Sequence, residues 1–138
     1  MAYATVEQFL LRIGNQQAID LTDRDMTGEV NQDVLNAALT DSSSQIDFYL
    51  SGRYKLPLET VPDNLVRICC DLARYRLCSM SNTTITDEVI ARYKQTLSEL
   101  ESIASGSMSI GIENTDDTTS DSENILFFNS AKRVFSRD

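Results

Sequence analysis

Through most of the first hundred positions, apolar residues recur at three- and four-residue steps, the spacing that lines one face of an α-helix. Thr5 followed three residues later by Gln8 is a capping-box pattern. It predicts a short helix from about Val6 to Ile13, stopping near Gly14. A second short helix, about Asn15 to Leu21, carries Ala18, Ile19 and Leu21. Asn31 caps a longer third helix, about Gln32 to Ser51, with Val34, Leu35, Ala38, Leu39, Ile46, Tyr49 and Leu50 on one face and Gly52 as its stop. Arg53 to Leu58 is expected to be extended, because Pro57 disfavours helix in the residue before it. Pro62 opens a fourth helix, about Asp63 to Met80. Its Leu65, Val66, Ile68, Cys69, Leu72, Ala73 and Leu77 make a broad apolar face, which predicts that it is the central helix. Thr86 caps the fifth helix, and Asp87 and Glu88 suit its positive end. Val89, Ile90, Tyr93, Leu97, Leu100, Ile103 and Ala104 form its stripe, and Gly106 ends it.

Beyond that point the periodicity is lost. Met108-Ser109-Ile110-Gly111-Ile112 alternates and predicts a short strand. Glu113 to Asn124 is rich in Asp, Thr and Ser, a composition expected to be disordered on its own. Ile125-Leu126-Phe127-Phe128 and a basic terminal octapeptide, Ala131 to Asp138, follow. The expected architecture is mainly α: a bundle of four to five helices over residues 1–104, then an extended C-terminal arm over 105–138 that can carry short β-strands. A polar spacer leading to an apolar, basic peptide reads as a tethered docking segment. The plainer alternative is that Phe127, Phe128 and Phe135 fold back on the chain's own helices.

The charge narrows the functional classes. The 138 residues carry a formal charge of −9, which argues against a protein that binds nucleic acid by neutralising phosphates. It is compatible with a wall past which DNA slides without adhering. No apolar run approaches the roughly 20 residues that span a bilayer, so no membrane partner is expected. The N-terminus lacks a basic region followed by an apolar stretch, so the expectation is synthesis and assembly in the cytoplasm. Cys69, Cys70 and Cys78 share one predicted helix and read as small, buried, reduced residues. With no histidine in the chain, zinc binding and the commonest nucleophile–base pairs are poorly supported. No spacing among the 21 acidic residues singles out a catalytic pair, and there is no glycine-rich phosphate loop. No enzymatic activity and no cofactor are expected.

Three groups of residues invite a sharper reading. Asp23, Asp25 and Thr27 occupy positions 1, 3 and 5 of a loop with Gly28 at position 6, like the start of an EF-hand. The match fails at position 12, which is Val34, so a polar turn is the preferred reading over a calcium site. Arg67, Asp71 and Arg74 share one helical side and read as an ion-pair set rather than a catalytic or DNA-contacting cluster. Arg53 and Tyr54, just past a helix C-terminus, are candidate partner contacts. So are Phe127, Phe128, Lys132, Arg133, Val134, Phe135 and Arg137 in the arm. There Phe135 is an apolar anchor, and the basic groups steer an acidic second copy into head-to-tail contact; such a contact closes a ring when its rotation allows.

Several stretches resemble the Mu-type phage head–tail connector family. They are Tyr3-Ala4-Thr5, Leu21-Thr22-Asp23-Arg24-Asp25, the run from Ile46 to Leu58, Cys70-Asp71-Leu72-Ala73-Arg74-Tyr75-Arg76-Leu77, and Arg133-Val134-Phe135-Ser136-Arg137-Asp138. The resemblance runs nearly end to end; the acidic Thr/Ser/Asp spacer departs from it. What it implies is a structural adaptor of the virion neck, made in the bacterial host cytoplasm. Such subunits form a homo-oligomeric ring, usually twelve-fold, beneath the portal protein. The ring extends the channel for passing DNA and receives the next neck or tail-completion protein. A tail-completion or terminator role is the main alternative, followed by a calcium-responsive module and a helix-turn-helix regulator.

Overall fold

A capping box, an asparagine cap, a threonine cap and a left-handed glycine mark out the helices of the computed structural model, which describes residues 2–81 and 84–111. Five helices form over those residues: α1 (Val6–Ile13), α2 (Asn15–Thr22), α3 (Gln32–Leu50), α4 (Asp63–Met80) and α5 (Asp87–Ser105). At α1, Thr5 accepts from the Gln8 N–H while the Gln8 side chain accepts from the Thr5 N–H, satisfying two otherwise orphaned donors. Gly14, at φ 97°, ends α1 and begins α2 in one residue. Asn31 accepts from Asp33 and Val34, and Thr86 accepts from Val89.

Helices α3 and α4 each touch every other helix, whereas α5, equally long, packs on α3 and α4 alone. The short α1–α2 pair and α5 therefore lie apart, both resting on α4. The central place expected for α4 is the one it holds. Its Leu65, Ile68, Cys69, Leu72, Ala73 and Leu77 are essentially sealed from solvent. Each large aliphatic among them contributes about 1.5–3 kcal/mol relative to exposure. The α3 stripe runs through Leu35, Ala38, Leu39, Ile46 and Leu50 and includes the buried Ser42 and Ser43, which the apolar pattern alone passes over. Small side chains there let α3 and α4 approach, and Ser43 lies 3.6 Å from Cys69 Sγ. All three cysteines are free and buried, and burial pushes the Cys70 thiol up to about 12.

The N-terminal segment is tied down rather than trailing. Tyr3 is buried; its N–H donates to Ser43 Oγ at 3.0 Å and its hydroxyl donates to Asp47. Thr22, also buried, donates to the Ala18 carbonyl at 2.7 Å and accepts from the Asn31 N–H at 3.0 Å, joining the end of α2 to the start of α3.

Three local expectations are corrected. Arg53 to Leu58 is not simply extended: the Arg53 and Tyr54 N–H groups both donate to the Leu50 carbonyl, closing a turn past α3, and the Leu56–Pro57 peptide is cis. Nor does Gly52 act as a left-handed stop; the helix ends at Leu50, and Ser51 keeps a right-handed conformation. No strand occurs among the described residues, so Met108 to Gly111 does not form the expected one. With no sheet edge to pair with, Ile110 instead buries its side chain against the body, and its N–H lies 3.4 Å from the Tyr54 hydroxyl.

Candidate interaction surfaces

The C-terminus of α5 carries no basic residue in its last turn, so its exposed carbonyls need partners from elsewhere. Gly106, at φ 96°, turns the backbone so that its N–H and that of Met108 return to Ser102. Arg53 completes the cap from the far end of α3. Its Nη1 donates to the Ile103 carbonyl at 2.7 Å and to the Met108 carbonyl at 3.3 Å, and its guanidinium lies 5.3 Å from the Tyr54 ring centroid. Tyr54 is buried and Arg53 half-buried. Both residues named as candidate partner contacts make these bonds within the subunit, where they fix the point at which the chain leaves the helical body. Phe127, Phe128, Lys132, Arg133, Val134, Phe135 and Arg137 lie outside the described residues.

The loop after α2 is organised around Asp23. Its Oδ1 accepts from the Thr27 N–H at 2.8 Å and hydroxyl at 3.0 Å, and its Oδ2 accepts from the Gly28 N–H at 2.7 Å. These bonds hold its carboxyl below the usual aspartate range. Gly28 sits at φ 82°, the conformation the polar-turn reading requires. No group of three or more His, Cys, Asp or Glu side chains placed to hold a metal occurs among the described residues.

A polar groove lies where α1–α2 and α5 stand apart over α4. Arg67, Asp71 and Arg74 form its floor, Arg12, Ile13 and Gln17 one wall, and Glu88 and Arg92 the other, around about 400 Å³. Arg67 bridges Asp71 at 3.4 Å and Glu99 at 2.8 Å; Glu88 receives Arg92 at 2.8 Å and Arg74 at 3.5 Å. Of the ion-pair set expected on α4, Arg67 pairs with Asp71, whereas Arg74 turns to Glu88, so the set recruits α5, whose acidic partners no local pattern singles out. Burial keeps the Asp71 carboxyl above its ordinary range despite Arg67, Arg92 and Arg74. On Glu88 the balance reverses: the hydrogen bond from Arg92 and the charge of Arg74 hold it low. Elsewhere Leu11, Met26 and Phe48 are each more than four-fifths exposed, and Met26 shares a hollow with the exposed Met80.

The comparison with known proteins converges on one family. The model for "Bacteriophage Mu, Gp36" matches residues 3–128. The chain belongs to the Bacteriophage Mu Gp36 family. The Gp36 match begins at Tyr3, the residue that ties the N-terminus to α3, and continues past the described body. The "Gene product J" of Escherichia phage Mu is 33% identical over 139 residues, covering 99% of this chain and 96% of that protein. The "Mu-like prophage FluMu protein gp36" of Haemophilus influenzae is 46% identical over 101 residues, 73% of this chain and 69% of that protein. The resemblance drawn from Tyr3-Ala4-Thr5 and the later motifs thus holds at the level of a Mu-type phage family. No described helix is long and apolar enough to cross a membrane.

Proposed function

We propose that this Gp36-family protein is a structural adaptor of the virion neck, without enzymatic activity. In this reading, copies form a ring beneath the portal protein, twelve-fold in the form expected from the resemblance. The ring prolongs the channel for DNA and accepts the next neck or tail-completion protein. The observation that carries it is near-full-length membership of a Mu-type phage family, in a chain whose helical body ends at an anchored exit. Closing the body around Arg53 and Tyr54 leaves the terminal peptide, Ile125 to Asp138, for contacts between molecules. The terminal Lys132, Arg133 and Arg137 beside Phe135 supply charge opposite to the acidic body, as a head-to-tail contact requires. A net charge of −9 disfavours adhesion to DNA, as a passage demands.

Mixing the purified chain with the portal protein and, separately, with the tail-tube protein of the same phage tests this reading by native mass spectrometry. The adaptor role predicts a ring on the portal and none on the tube. Binding to the tube alone assigns the chain to tail completion instead.

A further inference from the structure

The groove over α4 is longer than its central part. Three hollows join end to end along the α4–α5 seam. The first is lined by Ser109 and Ile110, where the described chain ends. It shares Arg67 and Glu99 with the second, which shares Arg67, Asp71 and Arg92 with the third, beside Arg12. Over residues 2–111 the chain carries 9 basic and 15 acidic side chains, a balance of −6 (9 − 15), yet four of those nine are the guanidiniums of Arg12, Arg67, Arg74 and Arg92 lining this seam. They face three carboxylates, Asp71, Glu88 and Glu99. Arg12 has no carboxylate within ion-pair distance among the described residues, and Arg74 Nε is buried with no hydrogen-bond partner. The seam is thus a track of arginines, net positive by one against its three carboxylates (4 − 3), on an acidic body.

The sequence that follows the near end of this track is its complement. Glu113, Asp116, Asp117, Asp121 and Glu123 place five carboxylates within eleven residues and no basic group, starting two residues past Gly111. We infer that this acidic segment, residues 113–123, docks in the arginine-lined groove of its own subunit. Reach is sufficient. Ile103 to Glu88 spans about 22 Å of helix at 1.5 Å per residue, and the seven residues from Ile110 to Asp117 extend to roughly 23 Å. Attachment at the groove's mouth makes docking intramolecular, with an effective concentration in the millimolar range, so the chain's own segment has the advantage over a neighbour's. The rest of the acidic exterior repels it, and docking sets where the apolar–basic peptide after Asn124 emerges. The inference does not depend on the adaptor reading.

The test uses the full chain with a nitroxide on Ser120→Cys. The three native thiols are buried and do not compete for the label. At low ionic strength the label is expected to broaden the amide signals of Arg92, Gln95 and Glu99 selectively over those of α3. The broadening should vanish when Glu113→Gln, Asp116→Asn, Asp117→Asn, Asp121→Asn and Glu123→Gln are combined. It should also weaken in Arg92→Gln and at about 0.5 M salt, where screening acts within about 4 Å. No selective broadening, or broadening that survives neutralisation of the segment, overturns the inference. So does broadening seen only when labelled and isotope-enriched copies are mixed, which makes the occupant a second copy.

Discussion

Arg53 shows how one side chain can tie together distant parts of the chain. It follows α3 by three residues in sequence, yet it bonds the carbonyls of Ile103 and Met108, fifty and fifty-five positions later. Arg53→Ala removes a charge-assisted cap and is expected to cost about 1.5–3 kcal/mol in urea unfolding. Amide exchange should accelerate first between Ser102 and Ile110. Two carboxyls make opposite pH predictions from the same ordinary value of 3.8. Asp23 is lowered by the N–H groups of Thr27 and Gly28, so its stabilising contribution is complete above the ordinary aspartate range and is lost as pH falls through its lowered folded value. Asp71 is raised by burial, so its contribution runs the other way: it is present below the ordinary value and lost as pH rises through the raised one. Carbon-detected titration of the side-chain carboxyls should place the midpoint of Asp71 above, and that of Asp23 below, their unfolded values.

Among the helices, the caps decide the boundaries. Thr5, Asn31, Thr86 and Gly106 announce where α1, α3 and α5 begin or end, because each satisfies backbone groups with its own side chain or its own φ. Replacing Asn31 with Ala leaves the Asp33 and Val34 N–H groups without an acceptor and should cost about 1 kcal/mol, read as a lower midpoint in thermal unfolding. Legibility fails where an element's fate depends on a distant partner. Met108 to Gly111 has strand-like alternation, but no edge is offered to it and Tyr54 holds it instead. Tyr3 carries no periodic signal, and its burial follows only from Ser43 and Asp47, which arrive on α3 after two intervening helices. Arg67, Asp71 and Arg74 were readable as one helical side, whereas Glu88 and Glu99 join them through packing that no local rule predicts.

For the whole molecule, the proposed function divides the work between the helical body and the C-terminal peptide. The helices close on themselves through α3 and α4, and in the proposed ring the apolar and basic peptide after Asn124 is the part that engages neighbours. Deleting residues 124–138 should leave the urea midpoint of the body unchanged, since the described core is complete by Ile110. In a complementation assay scored by immunoblot of purified virions, the same deletion should abolish incorporation.

Where the protein sits in an intact particle tests the neck-adaptor role most directly. An electron-microscopy map of the neck at side-chain resolution should show this chain as a closed ring immediately beneath the portal, its helical body around the DNA channel and its C-terminal residues on an adjacent molecule. A particle in which the chain is absent, or lies away from the portal with its last residues packed into its own helices, contradicts it.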